Sequence, residues 1–194
     1  MKKRIIVATG NKGKLKEIKE IFQEYEIISI KEAGIDVDIE EDSDTFEGNA
    51  LKKAREIAEI SGETCLADDS GIMIDYYDGW PGVRTARWMK ASDHEKNLAI
   101  IEKMKNIPKE ERQVHWVTAI AIVDKNKKEY TGIDIVDGLV ATECRGDSGF
   151  GFDEIFELPN GKTLGELDLE EKNEVSARKR ALLKIKEYLK NENL

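Results

Sequence analysis

The stretch "VHWVTAIAIVDKNKKEYTGIDIV", residues 114–136, decides the fold. Val114 to Val123 is apolar on both faces, so it reads as a central strand covered from two sides. "DKNKKE" is a polar turn, and Tyr130 to Val136 reads as the returning strand. Leu139 to Cys144 reads as a further strand. Upstream the rhythm changes. Arg4 to Ala8 is a short buried strand. Lys14 to Phe22 carries Leu15, Ile18, Ile21 and Phe22 at helical spacing. Glu26 to Ile30 is a second short strand. Antiparallel hairpins mixed with crossover helices imply an α/β fold with a mixed sheet.

The remaining elements fill in around that sheet. Asp36 to Asp44 is acidic and reads as a loop or edge strand. Asp44 or Thr45 caps a helix whose apolar positions are Phe46, Ala50, Ala54, Ile57 and Ala58, and Gly62 stops it. Thr64 to Ala67 is a strand running into "DDSG", where a turn is expected. "DGWPGVRTARW", residues 78–88, is a loop followed by a turn or short helix. Asp93 is expected to cap a helix through about Met104. A last helix carries Ala181, Leu182, Ile185, Tyr188 and Leu189 on its apolar side.

With 194 residues the chain suits one bilobed domain, residues 1–194, long enough for a real core. Charged residues make up 37% and the net charge is −9, a field that repels nucleic-acid backbones. No run of about 18 apolar residues is present, so no membrane span is expected. The apolar stretch after "MKKR" is too short for a signal peptide. Cys65 and Cys144 form no metal-type pair, and two thiols are expected in a cytoplasmic chain.

Several stretches carry residues suited to chemistry, and each also has a plain structural reading. "TGNKGK", Thr9 to Lys14, links a strand to a helix. Gly10 and Gly13 allow close backbone approach, and the first-turn N–H groups with Lys12 and Lys14 favour an anion. The alternative is an Asn-Lys-Gly turn with solvated lysines. In "ADDSG", Asp68 and Asp69 face opposite ways if the strand continues, so one can face a ligand. The alternative is an Asp-Ser-Gly turn. In "DIEEDSD", Glu40 and Glu41 form a solvated acidic face, or a metal-binding partner for Asp69. "GDSGFGFDEIF", residues 146–156, offers Phe150 or Phe152 as a stacking surface and Asp153 as an acceptor, or simply a glycine-rich bend over a core. Lys172, Arg178, Lys179 and Arg180 make a basic cluster in an acidic protein. His94 and His115 lie near none of these stretches in sequence and carry no expected role.

Taken in order, "ATGNKGKLKEI", "EE" with "TFEGNALKKA", "LADDSG", "GWPGVRTAR", "GFGFDEIF" and "EEKNEVSARKRAL" resemble the inosine triphosphate pyrophosphatase family, whose members act on non-standard purine nucleoside triphosphates such as ITP, dITP and XTP. The resemblance covers nearly the whole chain. It implies an elongated, twisted mixed sheet with two lobes and a central cleft. It also implies a Mg²⁺-dependent attack of water on the α-phosphorus, giving the monophosphate and pyrophosphate. By position it assigns Thr9, Gly10, Asn11, Lys12, Gly13, Lys14 and Lys53 to the phosphates. Asp69 becomes the catalytic base or a metal carboxylate, with Ser70 beside it and Glu41 or Glu40 on the metal. Phe150, Gly151, Phe152 and Asp153 line the base pocket, joined by Lys172, Ala177 and Arg178. A cytoplasmic homodimer is implied; for the dimer surface the sequence itself offers Trp80, read as an exposed aromatic. Two positions depart from the family pattern. Ala177 replaces a common histidine, and Phe152 stands where tyrosine or tryptophan is frequent. Both touch base recognition and leave the phosphate chemistry intact. The rival readings are a pyrophosphatase for modified pyrimidine nucleotides and a nucleotide-binding regulator without turnover.

Overall fold

The computed structural model describes residues 2–192. In chain order the main elements are β1 (Arg4–Val7), α1 (Lys12–Ile21), β2 (Glu26–Ser29), α2 (Phe46–Ser61), β3 (Thr64–Ile74), β4 (Trp80–Pro81), α3 (Asp93–Lys103), β5 (Gln113–Val123), β6 (Glu129–Val140), β7 (Phe156–Glu157), α4 (Leu169–Val175) and α5 (Ala177–Asn191). The strands form one sheet in the order β2-β1-β3-β5-β6-β7, with β4 on β3. β1 runs parallel to β2 and β3, whereas β4 is antiparallel to β3 and β7 to β6. The mixed sheet expected from the sequence is therefore present. No helix among the described residues is long and apolar enough to cross a membrane.

The chain divides into two compact units. The first is drawn from the chain up to Asp69, from Thr118–Asp134 and from Ala177 onward. Its core packs Ile5, Val7, Leu66 and Ile120 of the strands against Ile18 and Phe22 of α1 and Leu182 and Ile185 of α5. α2 starts where the Thr45 hydroxyl accepts the Gly48 N–H at 3.0 Å, and it ends at Gly62 with φ +67°. Of the two caps that the sequence offers, Thr45 is the one used.

The second unit comprises Ser70–Val117 and Ile135–Ser176. Its core gathers Ile72, Ile74, Ile100, Met104, Phe152 and Phe156. α3 is capped by Ser92 in a reciprocal box with Glu95, one residue before the expected Asp93. Trp80 is half-buried, its ring 4.8 Å from that of Trp88, so the expected exposure is absent.

Three other expectations need correction. β3 does not turn at "DDSG" but continues unbroken to Ile74. The apolar residues after Gly71, Ile72 and Ile74, are buried and keep the strand in the core. β6 likewise runs through Asp137 and Gly138 instead of breaking into two strands. A Cβ at Gly138 would lie 2.6 Å from the Glu157 carbonyl oxygen, so this glycine permits β7 to pair closely. Finally, the basic C-terminal segment is two helices, with Ser176 in extended conformation between them.

Arg112 is the least expected member of the second core. It is 2% exposed, and its guanidinium donates to the carbonyl oxygens of Val140, Met104 and Ala141 at 2.7 Å each, and of Ile107 at 3.4 Å. One planar fork thus satisfies main-chain acceptors from three segments. Replacing it leaves those carbonyls buried and unpaired. Arg112→Met is expected to cost about 3 kcal/mol or more in urea denaturation. Arg112→Lys is expected to recover only a small part, because an ammonium cannot span all four acceptors. A wild-type midpoint in either variant would contradict this role.

Candidate active site

The alternation of β3 separates two adjacent carboxylates. Asp68 is 3% exposed and points toward Lys14 of α1, with Oδ2 2.7 Å from Nζ. Arg178, near the start of α5, lies on the same oxygen at 3.6 Å and also pairs with Glu17 at 3.3 Å. Burial alone would raise the Asp68 pKa, but the charges of Lys14 and Arg178 outweigh it and hold the carboxyl below its usual value. In place of the Asp-Ser-Gly turn that the sequence also allows, Asp68 is the counter-ion that fixes two cations in the interior of the first unit.

Asp69 takes the opposite face and is 8% exposed. Its Oδ2 accepts the Asn49 Nδ2–H at 3.0 Å. Asn49 is fully buried on α2, and its Oδ1 accepts the backbone N–H of Ser43 at 2.9 Å. One side chain therefore ties the acidic loop to the strand carboxylate. Glu41 of that loop is half-buried and ion-paired to Lys53, one helical turn beyond Asn49 on α2. Burial is the main force pushing the Asp69 carboxyl up, to about 6. Lys53 and the Asn49 hydrogen bond pull it back, while the charges of Glu41 and Asp68 add to the rise. Asn49 was not singled out from the sequence. Its signal there is the spacing "NALKK", residues 49–53, which puts the asparagine and Lys53 on one helix face.

This set fits a hard divalent cation. The donors are oxygens, the charge of Glu41 acts on Asp69, and burial leaves the Asp69 carboxylate poorly solvated despite the opposing charge of Lys53. Glu41 and Asp69 are the pair that would hold Mg²⁺. Glu40, the alternative, is exposed, and its charge acts on Lys52.

At the expected phosphate loop, Asn11 caps α1, its Oδ1 accepting Gly13 N–H at 2.8 Å and Lys14 N–H at 3.1 Å. The Asn11 N–H in turn donates to the Thr9 hydroxyl at 3.2 Å. Gly10, Asn11, Lys12 and Gly13 are exposed. Thr9 to Lys12 line one wall of a 920 Å³ hollow that continues along residues 29–32 and 34–37. Lys12 therefore carries the open charge of the loop, while Lys14 faces Asp68. Ser70, next along β3, is half-buried.

The second unit holds the glycine-rich loop. Lys172 of α4 donates to Asp153 Oδ2 and to the Ser148 carbonyl, each at 2.9 Å. Asp153 Oδ2 also accepts the Phe150 N–H at 3.0 Å. Gly149 adopts φ +103°, and a Cβ there would fall 1.9 Å from the Asp153 carboxylate, so only glycine fits. On the other side, Gly151 donates to Asp93 and accepts from Asn97, both at 2.9 Å. Phe150 remains 41% exposed, whereas Phe152 is 6% exposed and belongs to the core beside Trp116. Asp153 and Lys172 therefore brace the loop, and Phe150 is the ring that it presents. Arg178 and Ala177, grouped with these residues in the sequence, fold with the first unit; Ala177 is buried at the start of α5. His94, given no role, sits 2.8 Å from Glu154 of this segment.

Fold and cluster define an α/β protein of the mixed-sheet class with a buried acidic candidate site. The profile of the Ham1 family matches residues 5–188. A dITP/XTP pyrophosphatase from Caldanaerobacter subterraneus subsp. tengcongensis is 41% identical over 192 residues, covering 96% of each chain. Another from Geobacter sulfurreducens is 41% identical over 191 residues, again 96% of both. Among solved structures, the Staphylococcus aureus Ham1 protein superposes with a TM-score of 0.90 at 33% identity, covering 98% of this chain and all of that one. A HAM1 protein from Coxiella burnetii gives 0.90 at 34% identity, covering 97% and 99%. The chain belongs to the Ham1 family, which bears out the resemblance read from its motifs.

Because the folded Asp69 pKa lies above its unfolded value, the stabilising form is the protonated one. That contribution is complete below about pH 4 and is lost as pH rises through about 6. Asp69→Asn keeps an acceptor for Asn49 and removes the buried charge. In metal-free buffer it is expected to stabilise the protein by about 2–3 kcal/mol at pH 8 and by almost nothing at pH 4. Urea titrations at both pH values check this, and equal stability at pH 8 would count against the electrostatic reading.

Proposed function

We propose that this protein hydrolyses non-standard purine nucleoside triphosphates (ITP, dITP and XTP) to the monophosphate and pyrophosphate. Family membership supports the reaction class. The observation that carries the assignment of roles is the convergence of Glu41, Lys53, Asn49 and Asp69 around one buried carboxylate.

The steps follow from the charges. The triphosphate is drawn to Lys12 and the exposed start of α1, and to Lys53 once a phosphate oxygen competes with Glu41 for it. Asp69 takes a proton from the attacking water as its oxygen bonds to the α-phosphorus. The bond from the α-phosphorus to the bridging oxygen breaks, and pyrophosphate leaves with that electron pair. In the metal-free protein Asp69, with a pKa of about 6, is already mostly ionised at neutral pH, and so able to accept a proton or hold a cation. Mg²⁺ held by Glu41 and Asp69 would offset phosphate charge and polarise the reacting oxygens. Phe150 supplies the flat surface for the base. A 6-oxo purine offers acceptors where adenine offers an amino donor, so a donor-lined site leaves ATP poorly paired.

We assign the protein to the cytoplasm as a homodimer, from family membership and from its free thiols, Cys65 and Cys144, which suit a reducing compartment.

Pyrophosphate release from ITP, XTP, dITP, GTP and modified UTP, with and without Mg²⁺, tests the reading. Turnover of ITP, XTP and dITP is expected only with Mg²⁺. A preference for the pyrimidine substrate, or binding without turnover, would overturn the assignment. Asp69→Asn is expected to bind ITP while losing at least about 100-fold in kcat. Phe150→Ala is expected to raise KM for ITP about tenfold with little change in kcat. An unchanged KM would remove Phe150 from the base site.

A further inference from the structure

A group of side chains in the second unit has the donor chemistry of a different cation. His94 is the second residue of α3, and its Nδ1 lies 2.8 Å from Glu154 Oε2. Cys144 is on the segment after β6, and the Arg145 N–H donates to the Glu154 carbonyl at 2.9 Å, so the backbone itself keeps cysteine and glutamate side by side. The ligating atoms of His94, Cys144 and Glu154 all lie within 4.8 Å of one another. Tetrahedral zinc, with bonds of about 2.0–2.3 Å, needs its ligands somewhat closer than that upper limit, a contraction within reach of rotamer adjustment.

Two further observations point to a prepared site. Asn97, fully buried one turn along α3 from His94, donates to Glu154 Oε2 at 3.2 Å and so orients the carboxylate from behind, as supporting residues do around metal ligands. Its own Oδ1 is buried with no hydrogen-bond partner among the described residues. The donor set is also selective. Thiolate, imidazole and one carboxylate match Zn²⁺ and disfavour Mg²⁺, which takes oxygen ligands.

We propose that His94, Cys144 and Glu154 form a three-ligand site for Zn²⁺ or a cation of similar softness, with water completing the tetrahedron. The site shares no residue with Glu41 and Asp69, and its existence does not depend on the reaction proposed above. On binding, Cys144 gives up its proton to solvent and ligates as thiolate. The structural consequence is local. Asp93 and Asn97 already grip Gly151 from the start of α3. A cation on His94 and Glu154 would replace their direct hydrogen bond with coordination and add Cys144 to the ties between that helix and the loop carrying Phe150. Occupancy therefore stiffens the glycine-rich loop without supplying a reacting group.

The test uses the full-length, metal-stripped protein in millimolar Mg²⁺, titrated with Zn²⁺ in a calorimeter. One equivalent is expected to bind at micromolar or lower concentration. His94→Ala and Cys144→Ser are each expected to weaken binding by at least about tenfold. Co²⁺ in place of Zn²⁺ is expected to give a thiolate-to-metal absorption band that disappears in Cys144→Ser and persists in Cys65→Ser. Mg²⁺-dependent turnover of Cys144→Ser, measured without Zn²⁺, should equal that of the wild type. The proposal is overturned by absence of the band in the wild-type protein. It is equally overturned by Zn²⁺ binding that survives in the His94→Ala, Cys144→Ser double variant.

Discussion

A single strand that places two consecutive carboxylates on opposite faces is the constraint on which the rest of the first unit depends. Asp68 turns inward and is neutralised by Lys14 and Arg178, which brings α1 and α5 to the same carboxylate. Asp69 turns the other way, where Asn49 and Lys53 of α2 offset it only in part. The same sequence step thus makes one aspartate a structural counter-ion and leaves its neighbour electrostatically underpaid. Environment divides the roles, since the residues themselves are chemically identical.

That division also explains how a protein of net charge −9 can be suited to a polyanion. Many of its lysines and arginines, Arg4, Lys19 and Arg55 among them, pair with nearby carboxylates on the surface, in pairs that contribute little to stability. Lys53 is different because its partner Glu41 also acts on the charge of Asp69. In the proposed reaction a divalent ion there would relieve repulsion between the carboxylates and release Lys53 toward a phosphate. The strain at Asp69 is therefore the feature that gives a ligand something to gain by binding, at the expense of stability in the unliganded state.

Much of this was legible in the sequence because it depends on periodicity. The apolar run of β5, the spacing in α1 and α2, the stop at Gly62 and the opposed faces of Asp68 and Asp69 are all local properties. What was not legible depends on partners far along the chain. Nothing near Arg112 announces that its guanidinium will meet carbonyls at Met104, Val140 and Ala141. The span of β3 through "DDSG" was hidden because serine and glycine after two aspartates carry the chemistry of a turn, and burial of Ile72 and Ile74 overrides it. Phe150 and Phe152 look equivalent two residues apart, and only packing against Trp116 separates a core ring from an exposed one. Asn49, spanning the Ser43 amide and the Asp69 carboxylate, was likewise invisible without the fold.

The central claim is that Asp69 is held at an elevated pKa by burial and by neighbouring carboxylates, and that a divalent cation relieves this. Carbon-13 NMR of the Asp69 side-chain carboxyl, titrated against pH with and without Mg²⁺, measures it directly. The account predicts a midpoint near 6 in the metal-free protein, and a fall of about one unit or more when Mg²⁺ is added. An ordinary aspartate midpoint near 4, or one indifferent to Mg²⁺, would contradict it.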